Sequence, residues 1–412
     1  MLNVTKLLRA EETEREAETI KSPRPSPGLL RYAPSPAPAG RKPIVVWNLT
    51  RGCNLHCLHC YTSSRAEPDP DELTTGEAFS VVDDLAAFGI PVIIFSGGDP
   101  LLHPGLFEIA GKAAARGISV SLSTNGTLID GTTVTALGSA GFRYVGVSVD
   151  GAGPAVNDRL RGRPGAFEEA LRGIRLCRDA GFTVGLRCTL SKNNVHDLPG
   201  LFDLAEREEI DRIYVAHLVY AGRGARIVPR DLSADETRKA MDLILARAES
   251  AVSRGRTMEI VTGSNDADGP YLYLAIARRD PALAARIHRL LLRRGGNSSG
   301  TAIANIDPQG NIHPDQFWTR RTYGNVRRAP FGRLWRNPED PVLLGLRDRE
   351  RLLKGRCGAC RFRSICLGSY RARAEVVHGD PWAPDPACYL TDDEIGITPA
   401  AMELASTQPA VE

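Results

Sequence analysis

Ile44-Val-Val-Trp-Asn-Leu-Thr-Arg-Gly-Cys53-Asn-Leu-His-Cys57-Leu-His-Cys60-Tyr61 joins a short apolar run to three cysteines that lie within eight residues. The apolar run predicts a buried β-strand, and the cysteines follow directly at its carboxyl end. Their spacing allows one loop to wrap three thiolates around a single metal centre, either zinc or an iron–sulfur cluster. A zinc ion would need a fourth ligand, for which His56 and His59 are candidates.

Beyond this segment, short apolar runs alternate with longer segments in which apolar residues recur every three or four positions. The predicted strands are Ile44–Leu49, Val92–Phe95, Ser119–Ser123, Tyr144–Val149, Thr183–Leu190 and Arg212–Leu218. The predicted helices between them include Thr74–Phe88, Gly105–Arg116, Phe167–Ala180 and His196–Glu208. Six strand–helix repeats in about 210 residues predict an α/β fold, in which a parallel sheet forms a partial (β/α)6 barrel.

The repeats occupy only part of the 412 residues, so we predict more than one domain. We assign residues 1–40 to a Pro-rich N-terminal extension, 41–262 to the barrel and 263–302 to a helical insertion or linker. This insertion contains one predicted helix, Pro270–Arg294. Residues 303–397 form a cysteine-rich C-terminal domain with little apolar periodicity. Such a domain needs a covalent cross-link or a bound metal to stabilise it. Residues 398–412 are predicted to be a mobile tail.

The composition excludes several classes of protein. The chain has 52 basic and 49 acidic residues, a balance that gives no support for a nucleic-acid-binding or membrane-surface protein. No apolar run approaches the roughly 20 residues of a membrane-spanning helix, and the acidic N-terminal segment is the reverse of a secretory signal. We therefore expect a cytoplasmic protein. In that reducing compartment, nine cysteines indicate metal binding more than disulfides.

Cys53, Cys57 and Cys60 form a C-x-x-x-C-x-x-C motif, which resembles the signature of the radical S-adenosylmethionine (SAM) superfamily. Active sites of strand–helix barrels lie at the carboxyl ends of the strands, which favours a catalytic cluster over structural zinc. The resemblance implies that the three cysteines hold a [4Fe-4S] cluster whose open iron binds SAM. It also implies that one-electron cleavage of SAM yields a 5′-deoxyadenosyl radical.

Further elements at the predicted strand ends resemble the family's cofactor contacts. Ser96-Gly97-Gly98-Asp99-Pro100 is similar to the Gly-Gly-Glu-Pro element that holds the methionine amino group, with Asp99 in place of Glu. Taken singly, each element is also consistent with ordinary turn chemistry. Together they imply a SAM site formed by His59, Tyr61, Gly97, Gly98, Asp99, Ser123, Asn125, Ser148, Asp150 and Arg187.

Four more cysteines, Cys357, Cys360, Cys366 and Cys388, are enough to occupy all the irons of a second [4Fe-4S] cluster, with a zinc ribbon as the alternative. The region resembles SPASM, a C-terminal domain of this superfamily that normally binds two auxiliary clusters. Asp315 and Tyr370 stand where that pattern has cysteines. We therefore predict a single auxiliary cluster, which has no open iron and serves in electron transfer.

The two other cysteines, Cys177 and Cys188, lie on the apolar face of a predicted helix and within a predicted strand. Residues in such positions behave as small core hydrophobes. We therefore predict that neither of them binds a metal.

From about Ile44 to Gly396 the chain resembles the branch of the superfamily that acts in heme d1 biosynthesis, notably in His217–Gly224 and Gly379–Tyr389. The resemblance implies action on the propionate side chains of didecarboxysiroheme, a modified tetrapyrrole, with a reductant such as flavodoxin or ferredoxin. Arg223 and Arg226 are candidates to pair with substrate carboxylates, and His217 or His313 to bind the substrate iron. The alternatives are another SPASM-type enzyme, either a heme-synthesis decarboxylase or a peptide modifier, and a non-enzymatic iron–sulfur or zinc protein.

Overall fold

The computed structural model describes residues 1–18 and 42–397. Most of the predicted Pro-rich extension and the predicted C-terminal tail lie outside these residues. No helix in the described part of the chain is both long and apolar enough to cross a membrane.

One sheet of eleven strands organises the described residues. The strands are β1 Leu2–Asn3, β2 Ile44–Asn48, β3 Val92–Ser96, β4 Ser119–Thr124, β5 Tyr144–Ser148, β6 Thr183–Leu190, β7 Arg212–His217, β8 Glu259–Gly263, β9 Ile303–Ile306, β10 Asn311–His313 and β11 Gly324–Asn325. They are arranged in the order β1-β8-β7-β6-β5-β4-β3-β2-β9-β10-β11. Strands β2 to β9 pair in parallel, whereas β1, β10 and β11 are antiparallel additions at the two edges. The six predicted strands are confirmed as β2 to β7.

Helices connect most of the parallel strands and surround the C-terminal cysteines. They are α1 Val4–Leu8, α2 Ala10–Glu18, α3 Thr75–Phe88, α4 Leu106–Ala115, α5 Gly131–Ser139, α6 Pro154–Arg161, α7 Ala166–Asp179, α8 Leu198–Arg207, α9 Ala234–Ser253, α10 Asp268–Ala277, α11 Pro281–Arg294, α12 Phe331–Arg336, α13 Pro341–Gly345, α14 Gly355–Ala359, α15 Arg363–Cys366, α16 Arg371–His378 and α17 Asp392–Ile395. Helix α3 shows how local sequence sets these bounds. A Thr74–Glu77 capping box begins it, and Gly89 ends it in the left-handed conformation.

The apolar periodicity of the helices places the core against the sheet. On α7 the buried residues recur every three or four positions, and Cys177 is one of them, with no exposed surface. Cys188 in β6 is 2% exposed. The prediction that these two cysteines are core residues is therefore confirmed.

The sheet is larger than the six strands that the sequence predicts. Strand β8 adds a parallel neighbour to β7, β9 pairs in parallel with β2, and β1 pairs antiparallel with β8. The described N-terminal residues are thus part of the sheet, and the sheet continues across the predicted boundary at residues 302–303. The predicted helix Pro270–Arg294 is two helices, α10 and α11, because Asp280 caps a new helix that starts at Pro281.

Candidate active site

The first cysteine loop follows β2 and is stabilised by hydrogen bonds to sulfur. Leu55 donates its backbone N–H to Cys53 Sγ at 3.4 Å, and Ser64 donates its own to Cys60 Sγ at 3.4 Å. Burial favours the neutral Cys60 thiol, but hydrogen bonds from Ser64 and Thr62 bring its pKa below the ordinary value. Three thiols in one loop, with donors already directed at the sulfurs, fit an iron–sulfur cluster.

A buried arginine from the loop after β7 holds this cysteine loop in place. Arg223 donates from Nε to the Cys57 carbonyl at 2.8 Å and from Nη1 to the Ser64 carbonyl at 2.6 Å. A Cβ atom at Gly222 would lie 2.4 Å from the Tyr61 carbonyl oxygen, so only glycine permits this close approach. Arg223 therefore supports the cysteine loop, which removes it as a partner for substrate carboxylates, whereas Arg226 is exposed.

Asp150, at the end of β5, brings together two residues of the cysteine site. Its carboxylate lies 3.0 Å from His59 Nε2 and 2.7 Å from Arg161 Nη2. Burial opposes ionisation, but Arg161 and His59 hold the pKa of Asp150 far below its ordinary value. Arg161 also donates to Cys57 Sγ at 3.8 Å. The structure thus joins His59 and Asp150, predicted separately as cofactor contacts, in one buried ionic group.

The Gly97-Gly98 turn after β3 packs directly on the cysteine loop. Gly98 donates its N–H to the Thr50 carbonyl at 2.7 Å. A Cβ atom would meet the Thr50 oxygen at 2.4 Å from Gly97 and the Gly52 oxygen at 2.1 Å from Gly98. No side chain fits at either position, so the two backbones can approach only because both residues are glycine.

Asp99 fastens this turn to the end of β4. Its side chain has no exposed surface, and its oxygens accept hydrogen bonds from Leu101 N at 3.0 Å, Thr124 Oγ1 at 2.7 Å and Asn125 N at 2.8 Å. Burial raises the pKa of Asp99 above its ordinary value. The carboxylate predicted to meet the methionine ammonium is therefore engaged by three protein donors.

The remaining predicted SAM contacts lie on strands of the sheet or form hydrogen bonds to them. The Tyr61 hydroxyl donates to Asn48 Oδ1 at 3.1 Å and lies 3.0 Å from Ser96 Oγ; burial raises its pKa to about 12. Arg187 donates to Ser123 and is the strand neighbour of Ser148.

Asn125 connects the end of β4 to the cysteine loop. Its amide donates to Asn54 Oδ1 at 2.8 Å and lies 3.9 Å from Cys53 Sγ. The predicted contacts therefore converge on the mouth of the barrel that carries the first cysteine loop.

The four C-terminal cysteines line one cavity. Cys388 is distant in sequence, yet the loop before α17 returns it to the other three, which lie on α14, α15 and the turn between them. Arg356 donates to Cys388 Sγ at 3.1 Å, and Phe362 N to Cys360 Sγ at 3.3 Å. Four half-buried thiols around a common space are a donor set that fits a [4Fe-4S] cluster.

Asp315 and Tyr370, which replace cysteines of the SPASM pattern, contact each other. Asp315 is fully buried and accepts hydrogen bonds from Ser299, from Phe317 N at 2.7 Å and from Tyr370. Burial raises the pKa of both the Asp315 carboxyl and the Tyr370 hydroxyl. The two residues predicted to replace SPASM cysteines therefore belong to one hydrogen-bonded network.

The two histidines proposed to bind the substrate iron are both hydrogen-bonded within the protein. His313 Nδ1 lies 2.6 Å from the Arg321 carbonyl and Nε2 lies 3.1 Å from Asp307, so neither nitrogen is free. His217 Nε2 lies 3.1 Å from Asp268, and its ring stacks on Tyr389. His313 is therefore a structural residue.

Comparison with known proteins agrees with this geometry. A family profile described as the Radical SAM superfamily matches residues 47–205. The chain is 49% identical over 370 residues to a pre-heme d1 synthase of Dinoroseobacter shibae, covering 89% of this chain and 91% of the relative. The chain belongs to the radical SAM superfamily.

A second relative is about as similar. The Fe-coproporphyrin III synthase of Methanosarcina barkeri is 47% identical over 359 residues, covering 86% of this chain and 90% of the relative. Among solved structures, Streptococcus suis SuiB bound to S-adenosylmethionine superimposes with a TM-score of 0.67 at 16% identity, over 85% of this chain and 78% of SuiB. That likeness concerns the fold alone, and it confirms the predicted fold class.

As a member of this superfamily, the chain is an enzyme. Membership also implies that one [4Fe-4S] cluster and SAM are its cofactors.

Proposed function

We propose that this radical SAM enzyme acts in heme d1 biosynthesis, in the cytoplasm, on the propionate side chains of didecarboxysiroheme. The observation that carries the proposal is the 49% identity to a pre-heme d1 synthase over nearly the whole of both chains. A propionate methylene has no acidic hydrogen, so a carbon radical is a more practical route than proton abstraction by a base.

Cys53, Cys57 and Cys60 would bind the SAM-cleaving cluster. When bound, the cluster and SAM supply a 5′-deoxyadenosyl radical that takes hydrogen from an unactivated carbon. The protein's part is to hold three thiolates in one geometry. Arg223 holds the cysteine loop by donating to the Cys57 carbonyl, and backbone N–H groups donate to the Cys53 and Cys60 sulfurs.

SAM would lie between this loop and the ends of the neighbouring strands. Arg187, held by Ser123, would pair with the methionine carboxylate. The Gly97-Gly98 backbone would meet the methionine ammonium, while Asp99 fixes that backbone. The other residues we assign to the SAM pocket are His59, Tyr61, Asn125, Ser148 and Asp150.

Cys357, Cys360, Cys366 and Cys388 would bind one auxiliary [4Fe-4S] cluster. Their common cavity supports this assignment, as does the Asp315–Tyr370 contact at the position of a second ligand set. Loss of a side chain through a carbon radical leaves one surplus electron, which the auxiliary cluster would accept. A carrier such as flavodoxin or ferredoxin would reduce the SAM-cleaving cluster again.

A second candidate function is synthesis of Fe-coproporphyrin III, which the 47% identity to that synthase favours. Both relatives are named after a heme-type tetrapyrrole, so the substrate class is the same for the two candidate functions. Only the mass of the product separates them.

The test is an anaerobic assay with reconstituted, reduced enzyme, SAM and didecarboxysiroheme, following 5′-deoxyadenosine and tetrapyrrole mass. Loss of propionate carbon supports the first function, whereas a product with the mass of Fe-coproporphyrin III supports the second. Release of 5′-deoxyadenosine without any change in the tetrapyrrole would exclude both. Cys57→Ala should abolish 5′-deoxyadenosine formation, whereas Cys177→Ala, a buried cysteine outside both sites, should retain it.

A further inference from the structure

Arg371, at the start of α16, is a buried cation held by backbone carbonyls. It is 1% exposed, and among the described residues no carboxylate forms an ion pair with it. Its Nη1 donates to the carbonyls of Pro381 at 3.0 Å and Ala383 at 2.5 Å, and its Nη2 donates to Gly368, while Nε has no acceptor in the described part of the chain. A buried charge costs several kcal/mol unless an opposite charge compensates it.

The C-terminal cysteine cavity lies beside this guanidinium. Gly368 lines the cavity, and a Cβ atom at Gly368 would lie 2.9 Å from Arg371 Cζ, so the lack of a side chain allows the approach. The guanidinium of Arg371 therefore lies against the wall of the cavity that the four cysteines share.

A second arginine contacts the same site directly. Arg356 donates from Nη1 to Cys388 Sγ at 3.1 Å, and Asp392, at 2.7 Å from Nε, orients it. The Asp392 side chain is 64% exposed, so water screens its charge, whereas the bond to sulfur is partly buried.

The other buried carboxylates around this cavity already have arginine partners. Asp385 pairs with Arg373 at 2.7 Å, and Asp266 pairs with Arg294 at 2.6 Å. Arg371 also contributes, after burial and Arg373, to the lowered pKa of Asp385, but among the described residues Asp385 forms its ion pair with Arg373 and not with Arg371.

The first cysteine site is balanced differently. Arg161 and Arg223 lie near its sulfurs, but so do two fully buried carboxylates, Asp150 and Asp99. Asp150 pairs with Arg161 at 2.7 Å, and the Asp99 backbone donates to the Gly52 carbonyl at 2.7 Å, next to Cys53. The arginines of the first site are therefore accompanied by buried carboxylates close to its cysteines.

We propose that Arg371 and Arg356 raise the reduction potential of the auxiliary cluster. Of the two clusters, the auxiliary one would therefore be the acceptor of the substrate's surplus electron. This inference rests on the proposed function, because it requires a cluster on the four C-terminal cysteines. Such a cluster is anionic and gains one further negative charge on reduction, which a buried cation and a hydrogen bond to a ligand sulfur both stabilise.

The test uses the full-length chain with Cys53, Cys57 and Cys60 replaced by alanine, so that only the auxiliary cluster remains. Into this parent we introduce Arg371→Met or Arg356→Gln, and measure the midpoint potential by redox titration followed by electron paramagnetic resonance. Each variant should shift the reduction equilibrium roughly tenfold toward the oxidised cluster, which is about 59 mV for a one-electron couple. Arg351→Gln, at a side chain that is 82% exposed, is the control and should leave the potential unchanged.

The outcomes separate this inference from the proposed function. A parent with iron and sulfide for one cluster, and equal potentials in parent and variants, overturns the role of the arginines but leaves the cluster in place. A parent without iron or sulfide overturns the auxiliary cluster and this inference together. If Arg371→Met fails to fold, the midpoint potential of Arg356→Gln decides the test. The Arg356 side chain is 25% exposed, so its replacement leaves no buried cavity.

Discussion

Replacing Asp99 with alanine tests whether its carboxylate fastens the loops of the SAM site or binds SAM itself. The substitution removes the acceptor of three buried donors, on Leu101, Thr124 and Asn125. Each unsatisfied buried donor costs about 1–3 kcal/mol, and the Thr124 hydroxyl can rotate toward another acceptor. We therefore expect the free energy of unfolding to fall by about 3 kcal/mol, which is about a hundredfold in the equilibrium constant.

The assay is urea unfolding of the protein without cluster or SAM, followed by circular dichroism. Working without cofactors matters because a ligand that binds only the folded state would add its own stabilisation. The control is Asp179→Ala, at an aspartate whose side chain is 65% exposed and pairs with the adjacent Arg178. We expect this control to change the free energy of unfolding by less than about 0.5 kcal/mol.

The same Asp99→Ala protein, reconstituted with iron and sulfide, is then titrated with SAM. If Asp99 acts by fastening the loops, stability and SAM affinity fall together. If the cofactor-free variant unfolds at the parent's urea concentration and only SAM binding is lost, the carboxylate contacts SAM directly. That result would refute the role assigned to Asp99 here.

Two further predictions concern the support of the cysteine loop. Arg223→Met should lower the amount of iron bound at the first site, because the cysteine loop loses its two carbonyl contacts. The control is Arg226→Met, at an exposed arginine, which should keep the parent's iron content. Both variants are measured by an iron and sulfide assay. Gly98→Ala should prevent assembly of the first cluster, because the new Cβ would lie 2.1 Å from the Gly52 oxygen. Gly111→Ala, in the open middle of α4, should instead raise the thermal midpoint, since alanine stabilises a helix by about 1 kcal/mol relative to glycine. Normal iron content in Gly98→Ala, or equal iron loss in both arginine variants, would contradict these expectations.

The sequence predicts the central sheet well, for a physical reason. Strands such as Ile44–Asn48 and Val92–Ser96 are buried on both faces, so they appear as continuous β-branched runs between capped amphipathic helices. The edge strands give no such signal. Leu2–Asn3 has two residues and depends on pairing with Thr262 and Val261 of β8, and partners so far away in sequence leave no local pattern.

The candidate active site likewise has residues that the sequence predicts and residues that it does not. Cysteine spacing and glycine turns are local, so Cys53, Cys57, Cys60 and the Gly97-Gly98 turn can be found from the sequence. Residues that act from a distance cannot. Arg161 is 104 residues and Arg223 is 166 residues from the Cys57 that they contact, and many arginines elsewhere in the chain look identical in sequence. Only the fold shows which arginines reach the cysteines.

The two cysteine sites are joined by packed aromatic rings, which bears on how they would work together. Tyr61 follows Cys60, and its ring meets Phe317 edge-on with centroids 4.9 Å apart; Phe317 meets Tyr370 at 5.8 Å. Tyr370 lies four residues after Cys366, so these ring contacts run from one cysteine site to the other through two partly buried side chains and one buried side chain. Because packed interiors resist deformation, the separation of the two sites is set by the fold. Under the proposed function, a substrate bound between the two sites would pass its surplus electron over a fixed distance to the C-terminal cluster, whose reduced state Arg371 and Arg356 would stabilise.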